Sequence, residues 1–429
     1  MANRYFLCEN RHNHISIKLT HCSGITVSKT GRKFSNYPSG LDPNNTNTGT
    51  NNKHAVAELL PNGTEIPYPS FTINNPPNGA INYTVTPPVG ANYADYLLGV
   101  QSVVLDASDQ LWILDTGRSL TPEGVLVPAV TGGPKLIGVD ITSDTVIQTI
   151  TFPDTVAYPT SYLNDVRFDL RASLTSSGKG VAYITDSSSA GRNGIVIVDL
   201  GTGESWRHLD GVAEVRAERG FVPYVWGQPL YYIPGPGEPL ATVPLGSDGI
   251  ALSADGADLY FGPVGGRSLY SVPTALLRER DLSSELRAQA GVVRRGDRGV
   301  SDGFETDSNG FVYAGNMEQN QIGFYNPMNA SMECWVRDPR ISWVDTSMLS
   351  SVFLRLLLWE MANVGQCRWE AMGISILRIT SLRLARRFTR GWIGERGLLC
   401  YLGHRCRTMG PECSCNRELE GEKKQQRTF

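Results

Sequence analysis

The chain has 429 residues, and its 45 glycines and 25 prolines separate many short runs of Val, Ile, Leu and Tyr. This composition favours a β-rich globular protein with many turns over a helical bundle. The 39 basic and 42 acidic side chains nearly cancel, so the chain has no global basic field for nucleic acid or an anionic membrane. No apolar run reaches the roughly 18 residues that a membrane helix needs.

The two ends of the chain differ from its middle. Residues 1–22 are an N-terminal extension without the continuous apolar stretch of a secretory leader. Residues 351–429 carry 12 Arg and 2 Lys against 7 Glu and no Asp, a net charge of +7, whereas residues 1–350 carry a net charge of −10. We therefore interpret residues 351–429 as an aberrant Arg/Cys/Trp-rich tail, irregular or helical, that arises from a gene-model artefact such as a retained intron.

Between these ends, one pattern recurs: an alternating strand, a turn of Asp, Ser and Gly, and a returning strand. Its copies are SGITVSKTGRKFSNYP (23–38), QSVVLDASDQLWILDTG (101–117), LNDVRFDL (163–170) with GVAYITDSS (180–188), SDGIALSADGADLYFGP (247–263) and SDGFETDSNGFVYAGN (301–316). Each copy predicts a β-hairpin, because the turn residues tolerate the positive φ that a tight turn requires. Trp112, Tyr260 and Tyr313 are predicted to occupy equivalent places in the returning strands.

A second strand pair follows several of these hairpins. These pairs lie in residues 136–153, 194–209, 268–277 and 321–327. Two hairpins make a four-stranded unit, and such units repeated at roughly 50 to 80 residues predict a β-propeller. Residues 220–246, rich in Pro, Gly and aromatic residues, are predicted to form a ligand-side loop over one end of the propeller. A last blade is expected to begin in residues 341–351, and the alternation stops at about Val352.

The order and spacing of these segments, together with AVAELLPNGTEIPYPS and WVRDPRISWVDT, resemble the major royal jelly protein/yellow family. The resemblance covers about residues 23–350. It implies an all-β, six-bladed β-propeller with an incomplete last blade, in a secreted, extracellular protein. It also implies that a small ligand, an amine or a catechol-type metabolite, binds at the mouth of the central channel, with a role that includes pigment-related chemistry.

The polar residues that open the inner strands are the candidate ligand-binding residues. They are Gln101, Asn164, Asp165, Asp248, Asp302 and Asp345. Carboxylates that converge on one cavity would attract an amine or a metal ion, because each is costly to desolvate without a partner. The alternative is that each Asp of an Asp-Gly pair caps a turn through its own backbone.

A second hypothesis is an enzyme on the same propeller, either a calcium-dependent lactonase or an isomerase. Calcium would need oxygen ligands such as those of Asn164, Asp165 and Asp248. Lactonase-type propellers also use a Glu in the first blade, where this chain has Ser23, so we expect no resident metal or other cofactor. The chain has no GxSxG, HExxH or P-loop motif, and catalytic residues and oligomeric state stay open.

The sequence also contains glycosylation sequons and a group of aromatic residues in the long loop. Sequons at Asn44, Asn62, Asn82 and Asn329 predict glycosylation of a secreted surface. The aromatic residues of the long loop are Tyr224, Trp226, Tyr231 and Tyr232. These rings are suited to stack on an aromatic or cationic ligand, and the alternative is that they anchor the loop.

Overall fold

The computed structural model describes residues 23–42, 45, 54–235, 237–339, 341, 343–348 and 357–360. The chain divides into two compact units, Met1–Ile374 and Ser375–Phe429, and every described residue belongs to the first. The predicted extension over residues 1–22 and most of the predicted tail therefore lie outside the described residues. No helix in the described part is long and apolar enough to cross a membrane.

The described chain consists mainly of antiparallel strands. In the first half these are β1 (Gly24–Val27), β2 (Lys33–Asn36), β3 (Val56–Leu59), β4 (Glu65–Pro67), β5 (Ile81–Asn82), β6 (Val89–Gly90), β7 (Val100–Leu105), β8 (Gln110–Asp115), β9 (Lys135–Asp140), β10 (Thr145–Thr151), β11 (Leu163–Asp169), β12 (Val181–Asp186), β13 (Gly194–Asp199) and β14 (Ser205–His208). Short 3-10 turns lie at Ala172–Leu174 and Ala213–Val215.

The second half continues with strands and two short helices. These are β15 (Tyr224–Val225), β16 (Gln228–Pro229), β17 (Ser247–Leu252), β18 (Asp258–Pro263), β19 (Ser268–Pro273), α1 (Thr274–Arg278), α2 (Ser284–Ala290), β20 (Val293–Asp297), β21 (Phe304–Thr306), β22 (Val312–Asn316), β23 (Gln321–Asn326), β24 (Ser331–Arg337), β25 (Val344–Met348) and β26 (Leu357–Glu360).

The strands form an all-β propeller. Five four-stranded blades follow in chain order, β1–β4, β7–β10, β11–β14, β17–β20 and β21–β24. The first strand of each blade is innermost, because it packs against the first strands of the neighbouring blades. These inner strands surround the central channel.

The expectation of six blades is wrong, because the described residues form five four-stranded blades. After β24 they contribute the two-stranded sheet β25–β26, whose strand β25 packs against the inner strands β21 and β1. The expectation that residues beyond 351 are irregular or helical is also wrong at Leu357–Glu360, since these residues pair with β25.

Hydrophobic clusters fill the spaces between neighbouring blades. Leu136 of the second blade packs with Val166 of the third, and Ile197 of the third packs with Phe261 of the fourth. The middle strand β13 is buried along its whole length, whereas the outermost strand β10 is mostly exposed. Burial between blades therefore holds the propeller together and leaves the channel end to polar side chains.

The predicted hairpins are confirmed. QSVVLDASDQLWILDTG forms β7 and β8, and the two SDG copies form β17–β18 and β21–β22. The turn of the first SDG copy uses Asp255-Gly256, with a φ of +67° at Gly256. Trp112, Tyr260 and Tyr313 do occupy equivalent, buried places in the returning strands.

In the second and third blades, the second strand ends in a buried aspartate that is paired with a buried cation. Asp115 accepts backbone N–H groups of Leu98 (2.7 Å) and Gly99 (2.8 Å) and lies 3.1 Å from Lys135 Nζ. Asp186 and Arg207 form the same kind of pair at 2.9 Å. These pairs hold the segments that lead into the inner strands β7 and β11.

Candidate functional site

The predicted site residues lie where the inner strands lose regular pairing. The pairing register shifts between Val100 and Ser102 in β7, between Leu163 and Val166 in β11, between Ser247 and Gly249 in β17, and between Val344 and Ser347 in β25. The skipped residues include Gln101, Asn164, Asp165, Asp248 and Asp345. Since a β-bulge re-aims the side chain that it contains, the backbone itself sets these side chains apart from the ladder.

Three of the predicted carboxylates come together at one place. One oxygen from each of Asp248, Asp302 and Asp345 lies within 4.8 Å of the others. They come from β17, from the residues just before β21 and from β25, so three consecutive inner strands supply one carboxylate each. Asp248 and Asp302 are buried and Asp345 is partly buried. We call this group the carboxylate cluster.

The glycine after each SDG aspartate has a packing role. A Cβ on Gly249 would lie 2.3 Å from the backbone oxygen of Asp302, and a Cβ on Gly303 would lie 1.8 Å from that of Asp345. Each glycine therefore makes room for the backbone of the next inner strand. Asp248 lies within β17, and Asp302 lies at a bend that leads into β21.

Other side chains hold the cluster in place. Asn164 Nδ2 donates to Asp248 Oδ2 and to Ser187 Oγ, the latter at 2.9 Å. Trp343 Nε1 donates to Asp302 Oδ2 at 2.6 Å. Asn164 thus contacts the cluster, and its amide nitrogen faces Asp248.

Gln101 and Asp165 have other partners. Gln101 Oε1 accepts a hydrogen bond from the hydroxyl of buried Tyr162 at 2.8 Å, and the charges of Asp248 and Asp345 act on that phenol. Asp165 lies 2.9 Å from Arg167 and accepts from Ser102 Oγ at 3.1 Å. Asp165 therefore has an ion-pair partner, whereas none of the ion pairs of the described residues includes Asp248, Asp302 or Asp345.

Burial is the main influence on the cluster's electrostatics. It raises the pKa of Asp248, Asp302 and Asp345 above the ordinary value of an aspartate. For Asp248 and Asp345, the neighbouring carboxylate of Asp302 raises the pKa further. Desolvation and like charge both disfavour the ionised forms, so the cluster stores an unfavourable interaction that a bound cation would relieve.

Asp345→Asn is therefore expected to stabilise the free protein at neutral pH. The folded-state pKa of Asp345 is raised, so its contribution to stability is greatest when it is protonated and falls as pH rises from its ordinary pKa towards the raised one. We expect the free energy of unfolding of Asp345→Asn to exceed that of the wild type by on the order of 1 kcal/mol at pH 7. This difference should vanish below about pH 4. Chemical denaturation measures this difference. The buffer is phosphate with EDTA and not Tris, because Tris is itself an amine.

Asp297→Asn provides the control, since Asp297 is exposed and lies outside the cluster. It should leave the free energy of unfolding within about 0.5 kcal/mol of the wild type. The electrostatic account would be contradicted if the stability difference between Asp345→Asn and the wild type were less favourable to the variant at pH 7 than at pH 4.

Comparison with known proteins agrees with the repeated motifs. The model of the major royal jelly protein family matches residues 98–334, which is more than half of the chain. The chain belongs to the major royal jelly protein family. Major royal jelly protein 7 of Apis mellifera is 24% identical over 255 residues, which cover 59% of this chain and 50% of that protein. The chain thus spans about half the length of this curated relative.

Solved propellers are also similar to this member of the family. A gluconolactonase from Xanthomonas campestris is 11% identical, with 80% of this chain and 83% of that chain covered and a TM-score of 0.41. Regucalcin from Agrobacterium tumefaciens, a calcium-binding protein, is 11% identical, with 81% and 85% covered and a TM-score of 0.43.

The long loop after the third blade packs near the cluster. Val225 and Leu230 contact a buried group that includes Met317, and Trp343 packs against the same group. Trp226 at the tip of the β15–β16 hairpin donates its Nε1 to the Pro339 oxygen at 3.2 Å. Tyr224 and Tyr231 are exposed and Tyr232 is half-buried. The loop is thus anchored on the side of the propeller that carries Trp343.

Of the sequon asparagines that the structure describes, Asn62 and Asn329 lie in turns and Asn82 is the last residue of β5. Asn62 and Asn329 are exposed and Asn82 is half-buried, while Asn44 lies outside the described residues. Each of the three accepts a backbone N–H from the Thr or Ser of its own sequon. Glycosylation stays a prediction.

Sequence reasoning missed several residues that shape the site. Tyr162 and Trp343 lie just before β11 and β25, and each precedes a site residue by two positions, which is a signal in the sequence. Ser23 was noted as the first-blade position, and its hydroxyl donates to the Gln101 backbone oxygen at 3.2 Å. Arg298 has no signal in the sequence.

Proposed function

We propose that this protein binds a small cationic ligand, a protonated amine, at the end of its central channel. The observation that supports this is the convergence of the Asp248, Asp302 and Asp345 carboxylates within 4.8 Å of one another. Burial and mutual repulsion make their ionised forms unfavourable, and a bound positive charge would remove that cost. Catechol hydroxyls would donate hydrogen bonds but bring no charge to balance the carboxylates.

The dimensions of the cluster suit an ammonium group. The centre of a triangle with sides of at most 4.8 Å lies at most about 2.8 Å from each corner, and charge-assisted N–H···O bonds span about 2.7–2.9 Å. A primary ammonium has three N–H donors, one for each carboxylate. Asn164 and Trp343 donate hydrogen bonds to Asp248 Oδ2 and Asp302 Oδ2, which fixes the orientation of these two carboxylates.

The second candidate is a calcium-dependent enzyme, and the same three carboxylates favour it, because calcium prefers carboxylate oxygens. Calcium takes roughly 6–8 oxygen ligands at about 2.3–2.6 Å. Asn164 directs its nitrogen towards Asp248, and Ser23 donates to the Gln101 backbone oxygen. The Asn164 amide thus presents its nitrogen, and not its oxygen, to Asp248, so the amine is the better supported ligand.

Calorimetry with phenethylamine tests the proposal, with phenethyl alcohol as the uncharged counterpart. We expect the amine to bind and the alcohol not to bind. Asp248→Asn and Asp345→Asn should each weaken amine binding at least about tenfold, the loss of roughly one charge-assisted hydrogen bond. Asp297→Asn serves as the matched control and should bind like the wild type.

Binding should also weaken as the pH falls. The clustered carboxylates have raised pKa values, so acid protonates them first and removes the charge that attracts the ligand. Equal binding of amine and alcohol, or binding that tightens in acid, would contradict the proposal. Calcium-dependent lactone hydrolysis that is lost in Asp248→Asn would instead favour the enzyme.

The proposal includes secretion, which the family resemblance implies. The sequons at Asn62 and Asn329 are exposed, as glycan acceptors must be, and glycosylation there requires passage through the secretory route. A role in pigment-related chemistry stays a prediction from the resemblance. Mass spectrometry of the native protein for glycans on these two asparagines tests the secretory route.

A further inference from the structure

Arg298 is a buried cation without the carboxylate partner that two other blades provide. The last residue of the second strand is Asp115 in the second blade and Asp186 in the third, and each pairs with a buried Lys or Arg. In the fourth blade the equivalent residue is Pro263. Its backbone oxygen accepts a hydrogen bond from Arg298 Nη2 at 2.6 Å.

The remaining contacts of Arg298 are also uncharged. The residue is 2% exposed, and its guanidinium donates to the backbone oxygens of Gly266 and Gly299. Its Nε has no hydrogen-bond partner among the described residues. The Phe304 ring centre lies 5.1 Å from its Cζ. Among the ion pairs of the described residues, none includes Arg298.

The protein provides a specific space for this guanidinium. A Cβ on Gly262 would lie 2.8 Å from both Nε and Nη2 of Arg298, so the glycine before Pro263 leaves room for the side chain. Desolvating an arginine is costly, and three carbonyl dipoles compensate only part of that cost. The remaining compensation must come from charges that are further away.

Those charges belong to the carboxylate cluster. Pro263, which binds Arg298, pairs with Ser247 next to Asp248, and Arg298 itself lies shortly before Asp302 in the chain. Burial lowers the pKa of Arg298 to about 10, and the charges of Asp248 and Asp302 counteract this. Burial raises the pKa of Asp302, and the charge of the guanidinium offsets part of that rise.

We propose that Arg298 is a specificity-determining positioning residue: it reduces the negative potential at the carboxylate cluster and so favours singly charged over doubly charged cations. This inference rests on the proposed function, because it concerns the ligand of the same site. Arg298 acts through the cluster and does not touch the ligand. The Asp165–Arg167 pair is already balanced, so it does not serve this purpose.

The selectivity follows from the charge of the ligand. The electrostatic free energy of a bound cation is its charge multiplied by the local potential, so a fixed change in potential affects a divalent cation twice as much as a monovalent one. Removing one buried charge changes monovalent binding by roughly tenfold at a separation of about 12 Å and an effective dielectric constant near 20, and divalent binding by roughly a hundredfold.

The test compares Arg298→Met with Arg298→Lys. Calcium and phenethylamine are titrated separately into each variant and the wild type by calorimetry. We expect Arg298→Met to bind phenethylamine about tenfold and calcium about a hundredfold more tightly than wild type. Arg298→Lys should retain the wild-type ratio of affinities, because lysine restores the charge and has three donors for the three carbonyls. Arg294→Met, which removes an exposed cation, is the matched surface control.

The outcomes separate the two proposals. If phenethylamine binds but Arg298→Met changes the two affinities equally or not at all, the inference is overturned and the proposed function stands. If the wild type binds neither cation while Arg298→Met binds calcium, the inference is supported and the amine proposal is overturned. Binding of neither cation by any folded variant overturns both. If Arg298→Met does not fold, Arg298→Gln replaces it, because glutamine removes the charge and keeps N–H donors for the carbonyls; a wild-type ratio of affinities in Arg298→Gln overturns the inference, and a ratio shifted towards calcium supports it.

Discussion

Asp115→Ala is expected to lower the free energy of unfolding by about 3–5 kcal/mol, the usual cost of removing one partner of a buried ion pair. Lys135 is fully buried and would lose the carboxylate that lies 3.1 Å from its Nζ. The backbone N–H groups of Leu98, Gly99 and Gly117 would lose their acceptor in the same step. Urea denaturation followed by tryptophan fluorescence measures the change.

Lys135→Met is the informative companion variant. It removes the cation but leaves the Asp115 carboxylate bonded to its three backbone N–H donors. Such donors stabilise an ionised carboxylate, so we expect Lys135→Met to cost clearly less than Asp115→Ala. An equal or larger cost for Lys135→Met would show that the ion pair, and not the backbone contacts, dominates this part of the second blade.

Gly303→Ala is expected to cost about 3 kcal/mol and to weaken ligand binding at the cluster. The new Cβ would lie 1.8 Å from the backbone oxygen of Asp345. Backbone cannot move aside as a flexible side chain can, so β21 and β25 would have to separate. Asp302 and Asp345 lie at this contact, and their separation would enlarge the cluster.

Gly235→Ala is the control for Gly303→Ala. Its new Cβ would have its nearest neighbour at 3.7 Å, and we expect a change within about 0.5 kcal/mol. Thermal unfolding and phenethylamine calorimetry on both variants test the prediction. Unchanged stability and unchanged binding in Gly303→Ala would refute the close approach of the two inner strands.

The sequence predicted the hairpins well because their determinants are local. Turn residues such as Asp255-Gly256 and the alternation around them lie within a few positions of each other. The repeat also placed Asp248 and Asp302 at equivalent positions, and the structure brings both to one cluster with Asp345. The count of six blades failed, because the repeat spacing does not reveal how many strands pair after β24.

The contacts between blades could not be predicted. In the sequence, an Asp-Gly pair is as compatible with a turn as with the start of an inner strand. The role of Gly303 depends on a strand more than 40 residues away in the sequence. Arg298 lies in an ordinary stretch of basic residues, and nothing local distinguishes it from the exposed Arg294. Its importance arises from Pro263 in place of an aspartate, which is visible only when the blades are superimposed in space.

The channel end is assembled from single residues on separate inner strands, while the interblade clusters use other positions of the same blades. Evolutionary change at one inner position therefore alters one side of the binding site and leaves the packing between blades intact. Paralogues that share this scaffold can thus diverge in ligand preference one strand at a time. The fold of the propeller and the ligand preference of its site can therefore change largely independently of each other.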